Sequence, residues 1–572
     1  MHYRFLFPNR VSRFAVIELT LDELTGDQVE VCLPSWRPGR YELGNFAKNI
    51  RSWKAATVDG ELLPFRKIAK DRWLVQLEGH STITIHYDYY CAQPDAGACW
   101  VDEELVYINP VHCCLYVPDR LHTPCTVELQ LPNDYSVACS MASPKHGIFK
   151  AKSFHELVDS PWMASANLHH ETYAIDHIDF HIWFHGNFVP DWQKILNDFT
   201  RFSKLQLQTM GGFPVNEYHF LILALPFRFY HGVEHLGSTV LALGPAAQLM
   251  EAPLYDDLAG VASHELFHVW NIKAIRPIDM LPYDYAAENY SRLGFVYEGV
   301  TTYYGDLFLV RSGVYTQDQY FKELDARLQK HFNTHARFNM PVAEASFDTW
   351  LDGYVPGIPH RKTSIYDEGS LVALMTDLLI RKNTNHKASL DDVMRTLYND
   401  FGKRNIGYSE NDYLRIVEQV AGMPMTDFFV DFVYGTENYE PLLGDLLEYV
   451  GCEMIRTPSA QTQERRFGFK VSTENGITKV VAVLPGSLAD RAGLGKDDEL
   501  VAVNELKVEG NLNELMPVDD QQPITISLLT PMKRLKEIVL TAAPESYYHN
   551  YSIRARASAT IAQLESLSKW LS

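Results

Sequence analysis

Residues 264 to 268 read His264-Glu265-Leu266-Phe267-His268, and this short run constrains the fold more than any other stretch of the chain. It lies between Leu258-Ala259-Gly260-Val261-Ala262-Ser263 and Val269-Trp270-Asn271, an apolar setting that makes it an H-E-x-x-H motif on a helix. A helix turns once in about 3.6 residues, so imidazoles four positions apart share a face and can reach one cation. That is half of a zinc site. Glu265 stands beside the first histidine, near enough to take a proton from water yet turned away from ligation, and is the candidate general base.

A hydrolytic zinc centre takes three protein ligands and keeps one position open, so the fold must bring a distant side chain to this helix. Downstream, Phe295-Val296-Tyr297-Glu298-Gly299-Val300 is an apolar run with one carboxylate in it. A glutamate in a buried segment needs a partner, and Glu298 is the expected third ligand.

The chain has 572 residues and a net charge of −21, which implies about three or four domains. Phosphate binding rests on basic surface, so this charge argues against a nucleic-acid partner. No apolar run reaches the ~18 residues of a membrane span. Met1-His2-Tyr3-Arg4-Phe5-Leu6-Phe7 reads as a first strand rather than a secretory segment; a cytoplasmic protein is expected, or a periplasmic one if a signal has been removed. Of eight cysteines, seven lie between Cys32 and Cys139 with no C-x-x-C pair, so reduced buried thiols are expected rather than a cysteine zinc site.

Hydrophobic periodicity divides the chain. Residues 1–185 alternate apolar and polar positions, as in Phe14-Ala15-Val16-Ile17-Glu18-Leu19, and read as an antiparallel β-domain. Within it, Trp36-Arg37-Pro38-Gly39-Arg40-Tyr41 is a turn loaded with aromatic and basic groups; lining a cleft and capping the sandwich are both open to it. Residues 186–455 are mainly helical, beginning with Trp192, Ile195, Leu196, Phe199 and Phe202 at helical spacing. Two strands interrupt them, Tyr218–Ala224 and Thr239–Leu243, with Glu234, His231 and His235 between. Tyr366 stands just ahead of a helix that is apolar on nearly every side and therefore buried. A polar linker is expected over 456–466, a compact β-rich unit within 456–545, and an extension, 546–572. In that extension Ile561, Leu564, Leu567 and Leu571 form a docking face.

Four motifs in order resemble the glycyl aminopeptidase family, distant relatives of aminopeptidase N. They are His264 to Lys273 followed by Arg276-Pro277, Glu298-Gly299-Val300-Thr301-Thr302-Tyr303-Tyr304, and a C-terminal segment, Pro485 to Leu500, similar to the core of a bacterial PDZ domain. Ahead of that segment, Phe467-Gly468-Phe469 is similar to the carboxylate-binding loop of that domain. The resemblance implies a multidomain α/β protein: an N-terminal β-domain, a thermolysin-like catalytic domain and a PDZ domain. It implies one zinc ion per chain on His264, His268 and Glu298, with Glu265 as base and Tyr366 steadying the oxyanion, although relatives usually carry lysine where this chain has Glu368. The exopeptidase glutamate matches Glu234 in a Gly-x-x-Glu-His pattern that includes Gly232 and His235, and whose first glycine is His231 here. The implied activity is removal of the first residue, Gly or Ala above all, from peptides with a free N-terminus. Alternatives are an endopeptidase or oligopeptidase whose substrates the PDZ domain recruits by their C-termini, and a non-catalytic peptide-binding protein.

Overall fold

The computed structural model describes residues 1–355, 357–517, 522–541 and 546–572. The N-terminal sheets follow from alternation: Phe14–Leu21 buries Ala15, Ile17, Leu19 and Leu21 and turns the intervening residues outward. The domain is not wholly antiparallel as expected, because His2–Leu6 pairs antiparallel with Phe14–Leu21 and parallel with Cys125–Gln130. Alternation fixes the buried face of a strand and says nothing of its direction.

His169–Ile175 and Ile178–His185 belong to a five-stranded sheet, ordered His169–Ile175, Ile178–His185, Glu217–Ala224, Ser238–Gly244, Phe229–Glu234. Ile178–His185 pairs parallel with Glu217–Ala224, His181 opposite His219. This sheet spans the expected boundary at 185/186; the two-residue period runs unbroken from one sheet into the next and conceals the change of sheet. Phe229–Glu234, which sequence periodicity left outside the strands, is the edge strand, antiparallel to Ser238–Gly244.

Behind this sheet pack Trp192–Met210 and the motif helix, Leu254–Phe267. Two glycine contacts set the helices that follow. Gly305, in Thr301–Arg311, packs on the His264 backbone, with space for a Cβ only at 3.1 Å from the His264 Cβ. Gly299 and Gly369 meet backbone to backbone, so that Asp367–Thr384 crosses directly over the segment carrying Glu298.

The expected linker is structured. Cys452–Pro458 pairs along its length with His549–Ala555, and Gln463–Phe467 is a π-helical turn. Polar composition misled here because the ribbon is two-stranded and half exposed. The ribbon rests on Gln317–Phe332, where Gln329 and Asn333 side-chain amides both donate to the His549 carbonyl (2.7 Å each) and Asp325 accepts the Ile553 N–H at 2.6 Å. Between its strands sits a β-rich unit with its own core, including Phe467, Phe469, Val480, Leu500, Val503 and Ile526. All eight cysteines are buried free thiols. Among the described residues no helix is long and apolar enough to cross a membrane.

The last helix, Ile561–Trp570, docks as expected through Leu567 and the following Leu571, while the first two residues of the expected face turn outward. Ile561 is 78% and Leu564 48% exposed, whereas Ser566, Leu567 and Trp570 are buried. Trp570 wins the interface because it adds a polar tether to a large apolar area: its Nε1–H donates to Tyr303 Oη at 2.9 Å, and that hydroxyl donates to Asp377 at 2.7 Å. Arg311 and Arg381 donate to the carbonyls of Trp570 and Lys569, each at 3.0 Å. Trp570→Ala is expected to cost about 3–5 kcal/mol, and Ile561→Ala no more than ~0.5 kcal/mol. Thermal melts of the two variants check this; equal melting temperatures would contradict the assigned face.

His112, buried and stacked on Phe46 at 3.9 Å, yields a second expectation. Burial holds its imidazole down to about 4. Between that value and the ordinary ~6.5 the unfolded chain binds a proton that the folded chain refuses, so stability falls as pH drops through this window. Melting temperatures measured from pH 7 to 4 are expected to fall, and to fall less steeply in His112→Gln.

Candidate active site

The motif helix ends at His268, whose Nδ1 lies 2.9 Å from the Asn271 carbonyl. A carbonyl only accepts, so Nδ1 carries a proton and Nε2 is the nitrogen that faces the cleft. His264 Nε2 lies 3.1 Å from His268 Nε2; Glu298 Oε2 lies 3.4 Å from His268 and 4.0 Å from His264. The three donor atoms fall within 4.8 Å of one another. Two imidazoles and one carboxylate, with Glu298 and His268 buried, are the donor set and number that zinc takes in hydrolases.

Glu298 is held from three sides. It sits in a π-helical turn, Phe295–Val300, a widened geometry common at functional sites. Asn271 clamps the turn, donating to the Val296 carbonyl (2.9 Å) and Thr301 Oγ1 (3.0 Å). Tyr41, from the N-terminal domain, donates its hydroxyl to Glu298 Oε1 at 2.9 Å and leaves Oε2 facing the histidines. Burial pushes the His268 imidazole down, but the Glu298 carboxylate more than reverses this and lifts it to about 10.

Glu265 points elsewhere. Gly232 of the edge strand passes so close that a Cβ there would collide with the Glu265 carboxylate and with Val261. Glu265 Oε2 is buried without a hydrogen-bond partner. Burial raises this carboxyl well above its ordinary range; Glu234 and Glu298 add to the rise and His268 opposes it. Glu234 ends the edge strand, 4% exposed, with Oε1 likewise buried and unpartnered. Gly39 of the Trp36–Tyr41 turn abuts it, again where a Cβ would collide with the carboxylate. The turn thus lines the cleft rather than only capping the sandwich, and Arg37, Gly39 and Arg40 face a cavity of about 460 Å³ with the motif residues.

Tyr366 is the residue before Asp367–Thr384 and reaches the same cleft across the Gly299–Gly369 crossing. It is hydrogen-bonded to Tyr354, whose hydroxyl accepts the Tyr41 backbone N–H at 3.2 Å. Burial, then the Glu298 charge, keeps the Tyr366 phenol protonated well beyond its usual range.

Of the residues implied for substrate binding, Glu234 and Gly232 line the cleft and His235 does not. Neighbours on a strand face opposite ways; His235 donates to Asp159 at 3.0 Å, which Lys273 also grips at 2.6 Å. Glu368 is turned into the core, accepting from His331 at 2.8 Å. Phe467 and Phe469 are buried in the C-terminal unit, and Gly468, at φ 78°, gives its N–H to the Gln463 and Glu464 carbonyls.

His181, Glu217 and His219 form another cluster at metal-ligand distances. There Trp183 donates its indole N–H to His219 Nδ1 at 3.1 Å, so the ring proton sits on Nε2, 2.8 Å from Glu217. Neither nitrogen of His219 keeps a lone pair for an ion. Sequence reasoning missed Tyr41, Tyr354 and Asn271; Asn271 lay beside the motif and Tyr41 in the turn already singled out, but nothing in the sequence paired either with Glu298.

Among known proteins, a crystal structure of an aminopeptidase N family protein from Idiomarina loihiensis is similar over 100% of both chains, with 27% identity and a TM-score of 0.91. An M1 zinc metallopeptidase from Deinococcus radiodurans, solved as a mutant bound to a Tyr-Ser-Ala substrate, aligns over 74% of this chain and 90% of its own, with 15% identity and a TM-score of 0.45. No curated protein sequence matches. Residues 2–166 match the Peptidase M61 N-terminal domain and residues 257–372 match M61 glycyl aminopeptidase. Both matches are to domain models of peptidase family M61, and the chain is similar to that family over these two segments.

Proposed function

We propose that this protein is a zinc-dependent aminopeptidase that hydrolyses the first peptide bond of peptides with a free N-terminus. The observation that carries the reading is the pairing of a three-donor cluster, His264, His268 and Glu298, with two buried carboxylate oxygens that have no protein partner, Glu265 Oε2 and Glu234 Oε1. Orphaned buried acceptors are costly unless something that binds there completes them.

His264, His268 and Glu298 would hold the metal. When bound, zinc supplies Lewis acidity, polarising the scissile carbonyl and making water easier to deprotonate. Glu265 takes the proton of the attacking water and returns it to the leaving amine, a task suited to a carboxyl whose pKa burial has raised. Tyr366, kept protonated, donates its hydroxyl to the oxyanion. Glu234 pairs with the α-ammonium, which only a free N-terminus offers, and so fixes the cut at the first bond.

The C-terminal unit is, in this reading, a PDZ domain that braces the catalytic body. The Gly468 N–H that would meet a peptide carboxylate is already bonded within the chain, and the ribbon ties the unit to Gln317–Phe332. Capture of peptide C-termini by Phe467-Gly468-Phe469 would require that bond to open. The Gly or Ala preference implied by resemblance depends on the position His231 occupies.

Two measurements test the reading. Glu265→Gln is expected to lower kcat by about 10²–10⁴ and Tyr366→Phe by about 10²–10³, both with zinc content unchanged; undiminished turnover would remove either residue from its role. Peptides of one sequence, free and N-acetylated, are expected to differ by more than about 100-fold in kcat/KM, and Glu234→Ala to narrow that gap. Equal cleavage of both would favour the endopeptidase instead.

A further inference from the structure

The cleft holds a charged group that this chemistry leaves unused. Arg37 is 4% exposed, lines the cleft, and stands two residues before Gly39, which abuts Glu234. Its hydrogen bonds run to the Pro38 carbonyl at 3.3 Å and to His231 Nε2 at 3.4 Å, both long. Among the described residues no carboxylate oxygen comes within 4 Å of it. Asp95 lies behind the His231 ring, 3.9 Å from Nδ1, and is bonded to the Gly97 N–H at 2.7 Å and to Gln93. Arg40, on the same turn, is neutralised by Glu42 at 2.6 Å.

The guanidinium is also fixed in place. Gly97 packs flat on it, where a Cβ would overlap its nitrogens. His231 occupies the position at which the Gly-x-x-Glu-His pattern has glycine, and the one departure in that pattern is the ring that touches Arg37. Burial, then the Arg37 charge, holds His231 near 4, so it is neutral and accepts a hydrogen bond without supplying an anion. A buried, immobilised cation with no carboxylate in contact, only the more distant charge of Glu265, is disfavoured, and an anion arriving with the substrate complements it.

We infer that Arg37 reads an acidic side chain on the first residue, so that the preferred substrates are peptides beginning with aspartate or glutamate, in place of the small neutral residues implied by resemblance. The inference rests on the aminopeptidase reading, since Glu234 defines a first residue only by holding its α-ammonium. An acidic first residue carries its α-ammonium and its side-chain carboxylate only a few bonds apart, and can lie between Glu234 and Arg37 with each charge meeting its opposite. The guanidinium fork suits a carboxylate, with two parallel N–H donors.

The test compares kcat/KM for Asp- with Asn-anilide and for Glu- with Gln-anilide, pairs alike in shape and different in charge. The full chain is expected to favour the acid of each pair by about 10–100-fold. In Arg37→Met that ratio is expected to fall to about one or below, Arg37→Lys to keep part of it, and Arg37→Glu to favour Lys-anilide. Inhibition of the unaltered enzyme by free aspartate against asparagine gives the same ratio without a variant. Acid and amide turned over equally would overturn the inference while leaving the aminopeptidase intact, as would a ratio that survives Arg37→Met. Failure to cleave any free aminoacyl anilide, Ala-anilide included, would remove the aminopeptidase reading and this inference with it.

Discussion

Everything in the catalytic body answers to one constraint: two imidazoles and a carboxylate, from segments thirty residues apart, converge within 4.8 Å, and a carboxylate buried there needs a positive charge, proton or metal, to meet it. A buried Glu298 against two histidines is expensive on its own. The surrounding structure meets that cost with Tyr41 on one carboxylate oxygen and Asn271 on the π-helical turn, so that the remaining lone pairs converge. The same support fixes ligand orientation before any ion arrives, which is how outer hydrogen bonds tune a metal centre.

Close backbone contact is the means by which distant elements share the site. Gly232 lets the edge strand pass over Glu265, Gly305 lets a helix lie on His264, and the Gly299–Gly369 crossing carries Tyr366 to the cleft. Gly39 brings the N-terminal domain onto Glu234. The site is therefore built at a domain boundary, with the N-terminal domain supplying Tyr41, Gly39 and Arg37. Its sheet does more than brace the catalytic body.

What was legible in the sequence is what local spacing encodes. The i, i+4 histidines face one way because a helix has one pitch, and Glu298 stood out because a carboxylate in an apolar run has few other reasons to be buried. Tyr366 was visible only as a polar group before a fully apolar helix. Contacts between domains were not legible: the turn Trp36–Tyr41 carried an unusual composition, but its pairing with Glu298 and Glu234 depends on how two domains dock. Strand direction, the sheet to which 169–185 belongs, and the ribbon at 452–458 escaped for the same reason, since each depends on a partner far along the chain. In the last helix the apolar stripe pointed to Ile561, Leu564, Leu567 and Leu571; the last two pack on the core, and the tethered indole of Trp570 takes the place of the first two.

The most direct measurement of the central claim is a crystal structure of the zinc-loaded protein with anomalous data collected on both sides of the zinc edge. The account predicts one ion, bound by His264 Nε2, His268 Nε2 and Glu298, with Glu265 facing it unligated. No ion between those side chains, or zinc seated at His181, Glu217 and His219 in its place, would contradict it.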